Sequence, residues 1–345
     1  MSPAQHAHSQ RAAFARAALD DTSTLLKLHR LVNAVDIHGP SAARIISTRR
    51  SLRNRQRVGL FAGSFNPLTR AHVALADAAR QIAALDAVVW TISAVTVNKE
   101  RVQRASVPDR LAQLNAFAKT TPTDVVAVIN RGLYVEEAEA MRSRLASEAT
   151  LFLLVGFDKI VQIFDPRYYA NRDSALRELF ALALVLVAPR DDLGADALAE
   201  LLARPENREF ASFVQYIPVP PEHTRDSSSE ARALAAGVRG TPLRLQQRNL
   251  RRLLPPEGLA LARTGAYASP VSLDGSAASD RYTLRERWLH ALDMAHVSAR
   301  SPLPPLSRLV ARAARPTATG VRLRAWLDNP ATTPIPPEAR SILTR

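Results

Sequence analysis

The chain has 345 residues, 47% of them apolar and 23% charged, which suits one large globular domain or two. It contains no cysteine, which excludes a disulfide framework, a thiol nucleophile and cysteine-ligated zinc or iron–sulfur centres. The net charge of +14 invites a nucleic-acid reading, but residues 1–57 hold ten Lys/Arg against three Asp/Glu, residues 268–345 hold eleven against six, and the stretch between holds 25 against 23. A nucleic-acid-binding domain concentrates its basic surface on the folded part. The distribution therefore argues against a specific nucleic-acid partner and leaves polyanion affinity of the flanks as a secondary property. The longest apolar runs, such as 179–188, fall short of the ~20 residues a bilayer span needs, so a soluble chain without a membrane span is expected.

The first 56 residues are rich in Ala, Arg, Ser and His, and no acid precedes Asp20. This composition reads as a basic, partly helical or disordered extension, with a weak likeness to a mitochondrial transit peptide. A short amphipathic helix is predicted over 22–35 through Leu25, Leu26, Leu28, Leu31 and Val32. From residue 57 the pattern becomes a regular alternation. Strands are predicted at 58–62, 87–93, 124–130, 151–155, 182–187 and 213–219. Helices are predicted at 69–84, 107–119, 135–145, 195–203 and 229–236. Apolar runs without clean two-residue polarity, alternating with helices, point to a parallel sheet covered on both faces. The fold class is α/β, a doubly wound parallel sheet, and such sheets bind ligands at the carboxyl ends of their strands. After Tyr267 a Ser/Gly/Asp-rich linker precedes one possible helix over 281–297, carrying Trp288. The proline-rich remainder reads as a tail.

Chemistry concentrates at the first strand-to-helix turn, Gly63-Ser64-Phe65-Asn66-Pro67-Leu68-Thr69-Arg70-Ala71-His72. Neither Gly-x-Gly-x-x-Gly nor Gly-x-x-x-x-Gly-Lys-Ser/Thr occurs, which removes a dinucleotide fingerprint and a P-loop. Gly63 allows close approach of backbone to a phosphate. Thr69 and His72, three apart, share the face of the first helical turn, where free amides attract anions. A second candidate, Asp226-Ser227-Ser228-Ser229-Glu230-Ala231-Arg232, opens the helix after the sixth strand. Three hydroxyls and an arginine one turn on suit a polyphosphate. A plain N-capped helix and an ordinary loop histidine are the bland alternatives.

The first string resembles the nucleotidylyltransferase superfamily signature Gly-x-Phe-x-Pro-x-(His/Thr)-x-Gly-His, with Thr69 for the first histidine and Ala71 for the glycine. The second resembles Ile-Ser-Ser-Thr-x-Ile-Arg, with Asp226, Ser229 and Ala231 as departures. Three further segments match in family order: Val97-Asn98-Lys99 with Arg110, Gly156-Phe157-Asp158, and Pro255-Pro256 through Gly265-Ala266-Tyr267. The Phe164-Asp165-Pro166-Arg167-Tyr168-Tyr169 run looks like fungal-type nicotinamide mononucleotide adenylyltransferase-like proteins. The resemblance spans about 210 residues and places a catalytic domain at 57–267, flanked by the extension 1–56 and by 268–345.

That resemblance implies adenylyl transfer from ATP to nicotinamide or nicotinate mononucleotide, giving NAD or its acid analogue and pyrophosphate. His72, Thr69 and Arg232 would be catalytic. Gly63, Ser64, Phe65, Ser227, Ser228, Ser229 and Arg232 would bind ATP. Lys99, Arg110, Gly156, Asp158, Phe164 and Tyr168 would bind the second substrate. Mg²⁺ would come with ATP, and no protein metal site is expected. Phe164, Tyr168 and Tyr169 are either a stacking face for a heteroaromatic ring or core aromatics; Trp90, inside a strand, reads as core. Two alternatives stay open: transfer to another phosphate such as phosphopantetheine, and a nucleotide-binding module without turnover. A cytoplasmic or nuclear compartment is expected, with a mitochondrial one allowed by the N-terminal composition, and a homo-oligomer is compatible with the sequence.

Overall fold

A computed structural model describes residues 3–46, 52–95, 105–237, 243–273, 280–300 and 302–343. The chain divides into two compact units. One comprises Val35–Arg101 and Ala118–Ser228; the other comprises Met1–Ala34, Val102–Phe117 and Ser229–Arg345.

The first unit carries the sheet: β1 (Ala43–Ile45), β2 (Arg57–Ala62), β3 (Ala87–Ser93), β4 (Asp124–Ile129), β5 (Thr150–Gly156), β6 (Leu184–Ala188) and β7 (Val214–Tyr216). Their spatial order is β1-β4-β3-β2-β5-β6-β7. Every pair is parallel except β1 with β4. All six residues of β4 are buried, as are all but the last of β3. That is why these strands read as unbroken apolar runs: helices cover both faces and no residue needs to face water. Gly59 in the central strand leaves room for its neighbours: a Cβ there would lie 2.8 Å from a Leu85 methyl and 3.2 Å from one of Leu154, so those side chains would have to shift.

All six expected strands are present. The last is shorter than expected, because Pro218, Pro220 and Pro221 follow it and cannot donate to a ladder. The fifth starts at Leu184, since helix Arg172–Leu182 takes the preceding residues. Strand β1 was not expected; three residues are too few to show a period, and its place depends on β4 beside it.

The second unit is helical among its described residues. It holds Pro3–Ala18, Thr22–Asn33, Leu243–Leu253, Pro256–Ala262, Arg281–Met294, Leu306–Ala313, Ala318–Asp328 and Pro337–Leu343, together with most of Val107–Ala118. The expectation of a single helix after residue 268 is thus corrected to four. Two of the prolines that suggested an unpacked tail stand at helix starts: Pro305 precedes Leu306–Ala313, and Pro337 opens the last helix, where its missing N–H is harmless. Trp288 and Trp326 meet edge to face at 5.6 Å and are both buried. Gly320 is obligatory, because any Cβ would collide with the Arg315 carbonyl oxygen.

Buried charge joins the three segments of this unit. The Asp109 carboxylate accepts from Arg285 Nη2 at 2.8 Å and Nε at 3.1 Å, from Tyr282 Oη at 2.5 Å and from Ser106 Oγ at 3.0 Å. Arg285 also donates to the Leu19 carbonyl. Buried Glu257 takes a two-point contact from Arg11 at 3.1 Å, and Asp293 takes Arg30 at 2.7 Å. The N-terminal residues expected as an extension are therefore tied into this unit by specific bonds. No helix among the described residues is long and apolar enough to cross a membrane.

Candidate active site

Strand β2 has β3 and β4 on one side and β5, β6 and β7 on the other, so the strand order reverses beside it. In open parallel sheets that reversal leaves a ligand crevice at the carboxyl ends of the strands. Leu60 of β2 pairs with Leu153 of β5, and three residues further along each strand Gly63 and Gly156 leave the sheet at the same level. Both expected glycines thus flank the crevice.

Gly63 donates its N–H to the Thr91 carbonyl at 3.1 Å, and a Cβ on it would meet the Phe65 ring at 3.0 Å. The missing side chain lets the loop fold back on itself. Phe65 is fully buried with φ at +42°, a left-handed conformation that an aromatic residue adopts only when its surroundings impose it. Its ring lies 5.3 Å from Phe61, 5.4 Å from Trp90 and 5.1 Å from His72. Trp90 reaches past this cluster to donate its indole N–H to buried Asp124 at 3.0 Å, and Arg80 pairs with the same carboxylate. Trp90 is core, as expected, and it also walls the histidine's aromatic cage.

Helix Arg70–Ile82 begins where Thr69 caps it. The cap is reciprocal. The Thr69 hydroxyl accepts from the His72 N–H, and the Thr69 N–H donates to His72 Nδ1 at 3.0 Å. A backbone N–H can only donate, so Nδ1 must be the lone-pair nitrogen and the imidazole proton sits on Nε2. Burial among the aromatic rings pushes the His72 pKa down to about 4, and the nearby Arg190 guanidinium adds to the depression. At neutral pH His72 is therefore an uncharged donor with a fixed tautomer.

Arg190, two residues past β6, was not expected as a site residue. Its Nη1 donates to the Asp226 carbonyl at 2.9 Å, which ties it to the second motif. Asp226, at the position where the signature has isoleucine, is buried, and its carboxylate faces His223 Nδ1 at 2.9 Å. Ser228 Oγ donates to the Pro67 carbonyl at 2.9 Å, so the second motif is bonded directly to the first. Only the Pro-Arg pair after an apolar run marked Arg190 in the sequence, and a surface arginine looks the same.

The remaining expected residues are spread more widely. Ser64 is exposed on the loop, and Ser227 is partly buried just before helix Ser228–Ala236. Ser229 Oγ accepts from Arg232 Nη2 at 2.9 Å within that helix. Asp158 is exposed at the start of helix Phe157–Phe164 and pairs with Lys159 at 3.5 Å. Near it lie Tyr134 and Glu137, which sequence reasoning missed. Burial raises both pKa values well above their ordinary ones, and neighbouring carboxylates add to the shift. Arg110 lies in the helical unit, where Nε donates to the Ala105 carbonyl at 3.1 Å and burial lowers its pKa. Lys99 lies outside the described residues.

Phe164 is resolved in favour of the core reading. It is 5% exposed and packs with Phe180 and Phe210 at 6.3 Å, so its faces are taken and it offers no stacking surface. Tyr168 is partly buried at the end of the short turn Pro166–Tyr168, and Tyr169 Oη donates to the Ile163 carbonyl at 3.0 Å.

Comparison with known proteins identifies the family. The cytidylyltransferase-like family model matches residues 60–233, which includes both motifs. A Bordetella pertussis protein named "probable nicotinate-nucleotide adenylyltransferase" is 33% identical over 144 residues, covering 40% of this chain and 71% of that one. A Gloeobacter violaceus protein of the same name is 27% identical over 156 residues, covering 43% and 72%. Among solved structures, the Plasmodium falciparum nicotinic acid mononucleotide adenylyltransferase complexed with NaAD aligns at 15% identity and TM-score 0.44, over 61% of this chain and 97% of that one. With a family match across half of its length, this chain is a nucleotidyltransferase and belongs to the cytidylyltransferase-like family.

Proposed function

We propose that the chain transfers the adenylyl group of ATP to the phosphate of a pyridine mononucleotide, nicotinate or nicotinamide, releasing pyrophosphate. An oxygen of the mononucleotide phosphate bonds to the α-phosphorus as the bond to the bridging oxygen of the β-phosphate breaks. The nucleophile is already an anion, so no general base is needed. Rate must come from alignment and from donors aimed at charge on the α-phosphate and leaving group.

The observation that carries this reading is the Thr69–His72 cap, which leaves a neutral imidazole with its Nε2–H fixed at a helix N-terminus. A neutral donor holds its proton beside a phosphate, and the first-turn amides add positive potential. Arg190 supplies a permanent cation close to His72. Ser228 spends its hydroxyl on Pro67, so its contribution to the β- and γ-phosphates is its backbone N–H, with Ser227, Ser229 and Arg232 supplying side chains. Asp158, exposed just past β5, would accept from a ribose hydroxyl. The names of the relatives support a pyridine nucleotide as second substrate.

Among the described residues no three His, Asp or Glu side chains are grouped to hold a metal ion. A divalent cation such as Mg²⁺, bound to the phosphate oxygens of ATP, would offset charge there as part of the substrate. The test is a coupled assay of the purified chain with ATP, Mg²⁺ and each mononucleotide in turn, scored for dinucleotide. Turnover with one or both is expected, and lost with His72→Ala. ATP binding without product from either, and with product from phosphopantetheine, would transfer the reading to the other acceptor.

A further inference from the structure

Helix Leu243–Leu253 is divided sharply between two faces. Leu250 and Leu253 are buried and pack with Ala231, Leu254 and Leu259. At 3.6 residues per turn, Arg244, Arg248, Arg251 and Arg252 fall within an arc of roughly 100° on the opposite side. All four are exposed. Arg252 pairs with Glu230 at 3.0 Å, whereas Arg244 and Arg248 have no ion-pair partner among the described residues. The stripe also continues beyond the helix. Burial lowers the pKa of Arg263, and the nearby charges of Arg251 and Arg16 lower it further. Like charges at i and i+4 oppose helix formation, so this face is stabilised by an anion and weakened without one. The near-even charge of residues 58–267 concealed it, because a sum over the sequence does not show which side of a helix the charges share.

We propose that the arginine face of helix Leu243–Leu253 binds the phosphate backbone of a single nucleic-acid strand without reading its bases. Arg244, Arg248 and Arg252 rise about 6 Å apart, which suits neighbouring phosphates along one strand. Guanidinium groups make two-point contacts with phosphate oxygens. An anionic membrane is the less favoured partner, because a helix lying in a bilayer surface needs its apolar face free. Here that face is used by the core, and only Leu243 and Leu245, at the first turn, are exposed.

The experiment uses the full chain, a fluorescein-labelled single-stranded oligonucleotide of mixed sequence, and phosphatidylserine vesicles, titrated across a salt series. The stripe variant R244Q/R248Q/R251Q is compared with R300Q/R308Q/R315Q, which removes the same charge from exposed arginines elsewhere in the helical unit. Thermal melting checks that both variants are folded. Wild type and the control should bind the oligonucleotide with similar affinity. The stripe variant should bind at least about tenfold more weakly at ~0.1 M salt, with the slope of log K against log salt shallower by about 2. Equal loss in both variants would reduce the effect to net charge and overturn the proposal. So would wild type binding no oligonucleotide at that salt, or a stripe variant that loses only its affinity for vesicles.

Discussion

The two units each bury an aspartate against an arginine and an aromatic donor, and they use the arrangement differently. In the sheet unit Asp124 takes the Trp90 indole, 34 residues away in the β3–β4 ladder that already aligns the two strands, and Arg80, 44 residues away on helix Arg70–Ile82. In the helical unit Asp109 takes Arg285 and Tyr282, 176 and 173 residues away, while Arg285 also reaches the Leu19 carbonyl. The sheet would align its strands without its buried pair. The helical unit draws on three separated stretches of chain, and its charge pairs specify which helix meets which. Buried ions are weak evidence for net stability but strong determinants of register, and breaking one by removing a partner is costly.

The largest effect should therefore come from Asp109→Ala, which leaves the Arg285 guanidinium buried and uncompensated. A loss of about 3–5 kcal/mol in denaturant unfolding is expected, with hydrogen exchange in Arg281–Met294 accelerating before that in β2 to β5. Ending the chain at residue 268 removes Arg285 and Tyr282 together, and protection should fall in 107–117. The family resemblance places the catalytic domain at 57–267; full protection of that helix in the short chain would support that boundary.

In the sheet unit the largest effect should be on rate rather than stability. His72→Ala should lower kcat by ~10²–10³ with ATP affinity much less changed, the size expected when one preorganised donor to developing charge is lost. Single-turnover rates at saturating ATP measure it, and a wild-type rate would remove His72 from the chemistry. Because the folded pKa lies near 4 and the ordinary value is 6.5, the acid limb of kcat should lie near pH 4. The sign for stability follows from the same pair of values. Between pH 6.5 and 4 the unfolded chain takes up a proton that the folded chain refuses, so stability falls as pH is lowered through that window. His72→Ala should flatten that part of the stability profile.

Arg232→Ala tests the second motif. Charge-assisted bonds to terminal phosphates are worth about 1.5–3 kcal/mol, so KM for ATP should rise roughly tenfold or more while KM for the mononucleotide holds. Equal rises in both would move Arg232 away from the triphosphate. The smallest effect is expected from Trp90→Phe, which keeps a ring beside Phe65 but leaves one Asp124 oxygen without its indole donor. A stability loss of about 1–3 kcal/mol, with a drop in kcat well below that of His72→Ala, would separate a cage residue from a reacting one.

Much of the sheet unit was legible because its signals are local. Six apolar runs, the Gly63–His72 string and the 226–232 string stand in the order in which they fold, and each is readable within a dozen residues. Periodicity could not find β1, whose three residues depend on β4, and helices Phe157–Phe164 and Arg172–Leu182 were not expected. Among site residues, Thr69 and His72 were visible as a pair, but their reciprocal bond and the resulting tautomer were not. Arg190 was missed because its meaning lies in its reach to Asp226, 36 residues on. Phe164 could not be decided in advance, since a stacking face and a core ring have the same composition.

By itself the sequence determined the fold class, the position of the first motif at a strand end and of the second at a helix start, and the absence of cysteine chemistry, because alternation, turns and residue identity act within a few bonds. Only the tertiary structure decided that the flanks are folded, that His72 is neutral with its proton on Nε2, and that four arginines share one side of a helix. Burial and charge proximity are properties of neighbours in space, and nothing in the order of residues states that Arg285 will lie against Asp109.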